Sequence, residues 1–274
     1  MTLLQITVLA AVQGITEFLP ISSSGHLILV PAVAGWPDQS LVMDVAVHVG
    51  TLAAVVIYFW RDVWAMTRGL GMLARGRRRD PGAKLIVLLV VGTIPAVVAG
   101  GALKFAGLEG VLRSVELVAW TIIVFGLVLF VADRFFLRVR RFDQITWVQA
   151  LCIGIAQAIA LVPGTSRSGI TMTAARMFGF ERPDAARFSM LLSIPTILAA
   201  AILEGAELVA NPQPDMLGQL GIAILMSAAV GVLAIAGLMA WLRRAGFTPF
   251  VIYRLLLGGA LLTWVYVYGG GSLS

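Results

Sequence analysis

Charge is scarce in this chain. Asp, Glu, Lys and Arg make up 12% of its 274 residues, where a soluble globular domain carries about 25%. Too few charges remain to cover a water-soluble core. With 59% hydrophobic residues in repeated long runs, the chain reads as a helical membrane protein that crosses the bilayer several times. Cysteine is nearly absent: Cys152 is the only one. That excludes an internal disulfide framework and a cysteine metal cluster, and leaves Cys152 as a small packing residue. The net charge of +6 has no soluble basic face to sit on, so nucleic acid is not an expected partner. In a membrane protein a basic excess marks cytoplasmic loops. No basic region precedes the first apolar stretch, which is expected to be retained rather than cleaved as a signal peptide.

What is present in abundance is apolar helix. A span takes about 20 residues, and six segments fit: 43–60, 85–104, 116–133, 187–207, 218–241 and 250–268. Two more apolar regions, 3–35 and 145–180, are interrupted at Pro20 to Gly25 and at Pro163 to Gly169. Each reads as half-helix, polar tip, half-helix. Backbone of that kind is tolerated at membrane depth only where protein buries it or water reaches it. The expected fold is therefore all-α, six transmembrane helices plus two re-entrant helical hairpins. Arg61, Arg68, Arg75, Arg77, Arg78, Arg79 and Lys84 follow the first span, Arg134, Arg138, Arg140 and Arg141 the third, and Arg243 and Arg244 the fifth. The short loops near Glu109 and Asp215 hold few basic residues. Basic loops inside make all six spans alternate, with both termini outside. Each half then holds one hairpin and three spans, so the second half is inverted. The reading is one membrane domain, 1–274, with a first repeat over 1–142 and an inverted one over 143–274. Aligning Pro20 with Pro163 sets a shift of 143, which pairs Ser23 with Ser166. Inverted repeats with broken helices place a site near the midplane, where the tips meet. Pro95 and Pro195 fall inside spans and are expected to kink them. Gly92, Gly100 and Gly101 are expected to allow close helix packing.

The polar residues in the tips are costly in lipid and mark function. The first tip lies in the stretch QGITEFLPISSSGH, Gln13 to His26. Gln13 and Glu17 are four residues apart and share a helix face. One of Ser22, Ser23 and Ser24 caps the next helix, and Ser23 and His26 then lie side by side. The second tip is PGTSRSG, where Thr165, Ser166, Arg167 and Ser168 sit between Pro163 and Gly169. Two helix N-termini, an arginine fork and several hydroxyls make an anion site suited to phosphate. The lipid setting suggests an anion with a hydrophobic tail. Glu17 and His26 add groups that move protons, and Glu17 could also hold a divalent cation. Binding alone gains nothing from a carboxylate beside the anion, so the pattern favours phosphoryl hydrolysis. A transporter or flippase of a lipid phosphate is the rival. Asp44 and His48, one turn apart, are read as a supporting or structural pair.

The two motifs, with Phe247 to Arg254 (FTPFVIYR), resemble the undecaprenyl-diphosphate phosphatases, or bacitracin-resistance proteins, over essentially the whole chain. The resemblance implies removal of the terminal phosphate from undecaprenyl diphosphate, regenerating the lipid carrier for cell-wall synthesis in the bacterial inner membrane. It implies that Gln13 and Glu17 are the (E/Q)-x-x-x-E pair, that Ser22, Ser23 and Ser24 form the serine tip, and that His26, Ser166 and Arg167 are functional. Ser23 is the usual nucleophile candidate and water its rival. Gln13 in place of a carboxylate makes a two-carboxylate site for Mg or Ca less secure. Loop charge places the first hairpin's mouth on the periplasmic side. A homodimer is allowed for among the partners.

Overall fold

A computed structural model describes residues 1–36, 40–77, 80–107, 114–210 and 217–268. Glu109, Asp215, Arg78 and Arg79 lie outside the described residues. The described residues form eleven α-helices, with one isolated bridge between Arg140 and Phe180. In order they are α1 (Leu3–Thr16), α2 (Ser23–Ala34), α3 (Leu41–Tyr58), α4 (Trp60–Ala74), α5 (Pro81–Phe105), α6 (Val115–Phe135), α7 (Trp147–Ile159), α8 (Arg167–Met177), α9 (Arg182–Ala210), α10 (Leu217–Leu242) and α11 (Thr248–Tyr268).

Five stretches are long and apolar enough to cross a membrane: Pro81–Phe105, Val115–Phe135, Arg182–Ile202, Leu217–Leu242 and Thr248–Val267. This is a multi-pass membrane protein. The segment expected at 43–60 differs in form. It is α3, which ends at Tyr58, and the chain then turns by 87° into α4. The region taken for an Arg-rich loop is thus helical through Ala74. Its sequence explains the turn. Arg61 and Arg68 recur along α4, so it cannot stay in hydrocarbon, yet exposed Trp60 and Trp64 suit an interface. Each arginine lies over a tryptophan ring, at 5.4 Å for Arg61 on Trp60 and 5.1 Å for Arg68 on Trp64. Pro95 and Pro195 lie inside α5 and α9, which continue past them.

The half-helices are short and capped. Thr2 and Gln5 form a capping box at the start of α1, and Thr146 and Gln149 form one at the start of α7. After each half-helix comes a tip, and each tip ends on a serine in the same unusual backbone conformation. Ser22 has φ 76 and ψ 94, Ser166 has φ 72 and ψ 110. Among the described residues these are the two non-glycine positions with positive φ. Both hydroxyls accept from the N–H of the glycine three residues on, Gly25 at 3.3 Å and Gly169 at 3.1 Å. Both also bond the serine two on, Ser24 at 3.3 Å and Ser168 at 3.2 Å. The boxes and the caps repeat with a shift of 144, not 143. The second tip holds one more residue between its proline and its cap, so aligning the prolines slips the register. The structural partner of Ser166 is Ser22, and Ser23 corresponds to Arg167, each the first residue of its helix.

The halves interlock. α1 packs on α10, α7 on α5, and α3 against both α9 and α10, while α6 pairs with α11. Glycine makes these contacts close. A Cβ on Gly154 would stand 2.3 Å from the Gly92 carbonyl oxygen, and one on Gly50 1.9 Å from Ser227 Oγ. Of the three glycines expected to serve packing, Gly92 does, Gly100 faces only Leu161, and Gly101 faces open space. The main core joins Phe18 of the first tip, Phe180, Phe188, Phe247 and Leu129. Phe18 seats the first tip on this core, and in the second tip Thr165 and Ser166 are buried.

Candidate active site

Glu17 is the C-cap of α1 and is 6% exposed. An isolated carboxylate there would be expensive to bury, and three partners surround it. Gln13 Nε2 donates to Oε2 at 3.1 Å, as the four-residue spacing predicts. Ser23 Oγ donates to the same oxygen at 2.7 Å. Arg167 Nη2 donates to Oε1 at 3.0 Å from the other tip. The two tips thus meet directly. Ser168 Oγ adds a second tie, donating to the Leu19 carbonyl at 3.0 Å.

Arg167 is held at both prongs. Nη1 donates to the Ser189 carbonyl of α9 at 2.9 Å while Nη2 holds Glu17. Its Nε, the Oε1 of Gln13 and the Oγ1 of Thr165 are buried with no hydrogen-bond partner among the described residues. A guanidinium fixed this way offers its remaining donors in one set direction.

A cavity of about 350 Å³ opens on this cluster. Glu17, Ser23, Ser24, Asp44, His48, Ser166, Arg167 and Thr196 are its polar lining, and Leu27, Ile28, Ile197 and Ala200 are among its apolar lining. Charged, hydroxyl and aliphatic side chains thus share one cavity wall. The α2 and α8 N-termini flank the polar lining, so their free N–H groups favour negative charge there. A larger cleft of about 620 Å³, beside Asp62, Lys84, Asp184 and Arg187, is a poorer candidate. Several of its charged side chains are engaged: Arg187 with Asp62, Lys84 with the Asp143 carbonyl, and Asp184 with the Phe142 N–H.

Asp44 and His48 also line the cavity, whereas the remaining candidate tip residues do not. Gln13, Ser22, Thr165 and Ser168 are buried and do not line the cavity. His26 is also outside its lining. The His26 Nδ1–H donates to the Ser22 carbonyl at 2.6 Å, and Nε2 meets the Tyr253 hydroxyl at 2.6 Å. The histidine that does line the cavity is His48. Its Nδ1–H donates to the Asp44 carbonyl at 2.7 Å, which turns Nε2 toward Glu17 Oε2 at 3.8 Å. As donors for a divalent cation the side chains are few. Among the described residues no three of His, Cys, Asp or Glu gather, and Glu17 is already shared among Gln13, Ser23 and Arg167. These residues alone do not make a resident metal site.

Over residues 6–260 the chain matches the family described as bacitracin resistance protein BacA. It belongs to that family. The undecaprenyl-diphosphatase of Ruegeria pomeroyi is 50% identical over 266 residues, covering 97% of this chain and 100% of that protein. Undecaprenyl-diphosphatase 1 of Rhodospirillum rubrum is 50% identical over 275 residues, 97% of this chain and 96% of its own. The undecaprenyl-diphosphatase of Roseobacter denitrificans is 47% identical over 266 residues, 97% of this chain and 100% of its own.

In this BacA chain the sequence reading missed the supporting layer. Ser189 receives Arg167 on its carbonyl and meets the Thr171 hydroxyl at 2.6 Å. Tyr253 stacks on His26 with centroids 5.7 Å apart. Arg254 is fully buried beside both tips. A signal for Arg254 existed, since it is the single charge in the last apolar run, and a charge at such a position marks function by default.

Proposed function

We propose that this protein hydrolyses undecaprenyl diphosphate to undecaprenyl phosphate and inorganic phosphate, recycling the lipid carrier of peptidoglycan synthesis and so conferring bacitracin resistance. The observation that carries this reading is the chain Arg167–Glu17–Ser23, which joins the two tips in the wall of a cavity lined by both polar and aliphatic side chains. The activity of close, full-length relatives supports it.

The cavity's side chains suggest the steps. Arg167, Ser166 and the two helix N-termini hold the diphosphate, with Ser168 and Thr165 shaping the second tip from behind. Ser23 Oγ already donates to Glu17, so its proton passes to that carboxylate as Oγ attacks the terminal phosphorus. The bond between that phosphorus and the bridging oxygen breaks, and undecaprenyl phosphate leaves. Glu17 gives that proton to the departing phosphate oxygen, then takes one from the water that attacks the phosphoserine and returns it to Ser23 Oγ as the bond between phosphorus and Oγ breaks, and inorganic phosphate departs. Phosphoryl transfer rests mainly on positioning and charge stabilisation, the work assigned here to Arg167. Gln13 aligns Glu17. His26 acts on Ser22, where its bond to the cap carbonyl supports the turn that presents Ser23. Were a Mg or Ca ion bound with the substrate, Glu17 would be its protein carboxylate and the ion would supply charge stabilisation there; none of these steps passes through it.

The repeated caps, the shift of 144 and the crossed packing of α1 on α10 and α7 on α5 support two inverted repeats, 1–142 and 143–274, with α1–α2 and α7–α8 as re-entrant hairpins. Basic residues after α3, α6 and α10 support an inner-membrane orientation in which the site opens to the periplasm. The test is phosphate release from undecaprenyl diphosphate by the purified protein in detergent. Release with no transmembrane gradient is expected of the hydrolase. Lipid movement in vesicles with no release would identify a flippase instead.

A further inference from the structure

Arg254 of α11 donates to backbone carbonyls in three separate places. Nε donates to Ile122 at 2.8 Å, and Nη2 to Thr121 at 3.2 Å, both on α6. Nη1 donates to Pro20 of the first tip at 3.3 Å. Nη1 and Nη2 donate to Thr165 of the second tip, at 3.2 and 3.1 Å, and Nη2 to Gly164 at 3.1 Å. The side chain is 0% exposed.

Its charge is what sets it apart. Arg167 pairs with Glu17, Arg176 and Arg182 share Asp133, and Arg187 pairs with Asp62. Arg254 has no carboxylate partner among the described residues, although its burial is as complete as any. Carbonyl dipoles satisfy its donors without neutralising it, and a buried charge without a counter-charge is costly. Space has been made for it all the same. A Cβ on Gly126 would stand 3.2 Å from Arg254 Cβ, and a Cβ on Gly169 3.1 Å from its Nη1. A guanidinium merely needed as a pin could have been given a carboxylate. Here the charge is kept open immediately behind the two turns that face the anion site. Peptide planarity adds a further effect. The Thr165 carbonyl points at the guanidinium, so the Ser166 N–H on the same peptide points away from it.

We infer that Arg254 is a positioning residue that holds both tips in register and whose uncompensated charge is balanced by the substrate's diphosphate. This rests on the hydrolase reading of the cavity and deepens it. One cation, Arg167, touches the substrate, and a second behind the wall raises the potential of the same pocket. The site should then prefer the more highly charged diphosphate to the monophosphate product.

The test uses the full-length protein in detergent with inorganic pyrophosphate and inorganic phosphate as competitors, read both by inhibition and by thermal shift. Arg254→Lys keeps the charge and loses the fork. Pyrophosphate affinity should stay within about threefold while kcat falls at least about tenfold. Arg254→Gln loses the charge, and pyrophosphate affinity should fall at least about tenfold, more than phosphate affinity does. Folded variants with wild-type kcat, KM and pyrophosphate affinity would overturn the inference, as would equal losses of pyrophosphate affinity in Lys and Gln. Should neither variant fold, Gly126→Ala displaces the Arg254 side chain from outside the cavity. A severalfold fall in kcat at unchanged thermal stability supports the inference, and unchanged kinetics overturn it. Because the thermal shift needs no turnover, a wild-type protein that released no phosphate would defeat the hydrolase reading while still leaving the role of Arg254 decided.

Discussion

Arg167 and Glu17, 150 residues apart in sequence, meet at 3.0 Å. Neither hairpin holds both members of the pair. Glu17 keeps the arginine fork aimed while the site is empty, and the arginine offsets the burial of the carboxylate.

The first prediction concerns that fork. Arg167→Lys keeps a charge but cannot bond the Ser189 carbonyl and Glu17 together, and should lower kcat/KM by about a hundredfold. Arg167→Ala should lower it about a thousandfold or more, on the scale of losing an arginine in phosphoryl transfer. Steady-state phosphate release by purified, folded variants measures both.

Ser23 gives the second. With Oγ donating to Glu17 at 2.7 Å, Ser23→Ala should reduce kcat by about a thousandfold, while Ser24→Ala costs under about tenfold. Rapid quench with labelled diphosphate should trap phosphoserine at Ser23. Turnover with no trapped intermediate, and with Ser23→Ala still active, would assign the attack to water.

The third tests the two cap serines, whose positive φ favours glycine. Ser22→Gly and Ser166→Gly keep the backbone and lose the side-chain bond. Each should cost about 1 kcal/mol or less in thermal stability. Ser22→Val and Ser166→Val lose the bond and strain the backbone as well, and should cost about 2 kcal/mol or more. Thermal denaturation in detergent ranks the four.

Helix contacts give the fourth. Gly154→Ala drives a methyl into the Gly92 carbonyl, where α7 crosses α5, and should destabilise by about 1–3 kcal/mol. Gly101→Ala, facing open space, should be neutral or slightly stabilising. The same melting assay separates them.

Much of this was legible from residue type and spacing. Pro20 and Pro163 marked the tips, the run of serines announced a cap, and the isolated Glu17 and Arg167 could not lie in an apolar run without a partner. What spacing could not supply was direction. His26 and Ser23 are three residues apart, yet the His26 ring turns to Tyr253 of α11, and His48 occupies the cavity wall instead. Helical periodicity says which residues share a face and not what that face meets. The 87° turn after Tyr58 was hidden for a different reason. Both sides of it are helical, and only the change from apolar to amphipathic composition records it. The register of the tips was misread by one because proline is an obvious landmark, whereas the conformation that repeats belongs to the serine cap.

That register has a last consequence. Ser23 and Arg167 occupy one structural address, the first helical position after a serine cap, in two copies of the same turn. A perfectly twofold site would carry serine at both addresses or arginine at both, and would lack either the cation or the hydroxyl proposed here to attack. The frame can repeat its caps, boxes and glycines, but the reaction has two unlike ends. On the proposed mechanism, chemistry breaks the symmetry at the address where the two turns face the cavity.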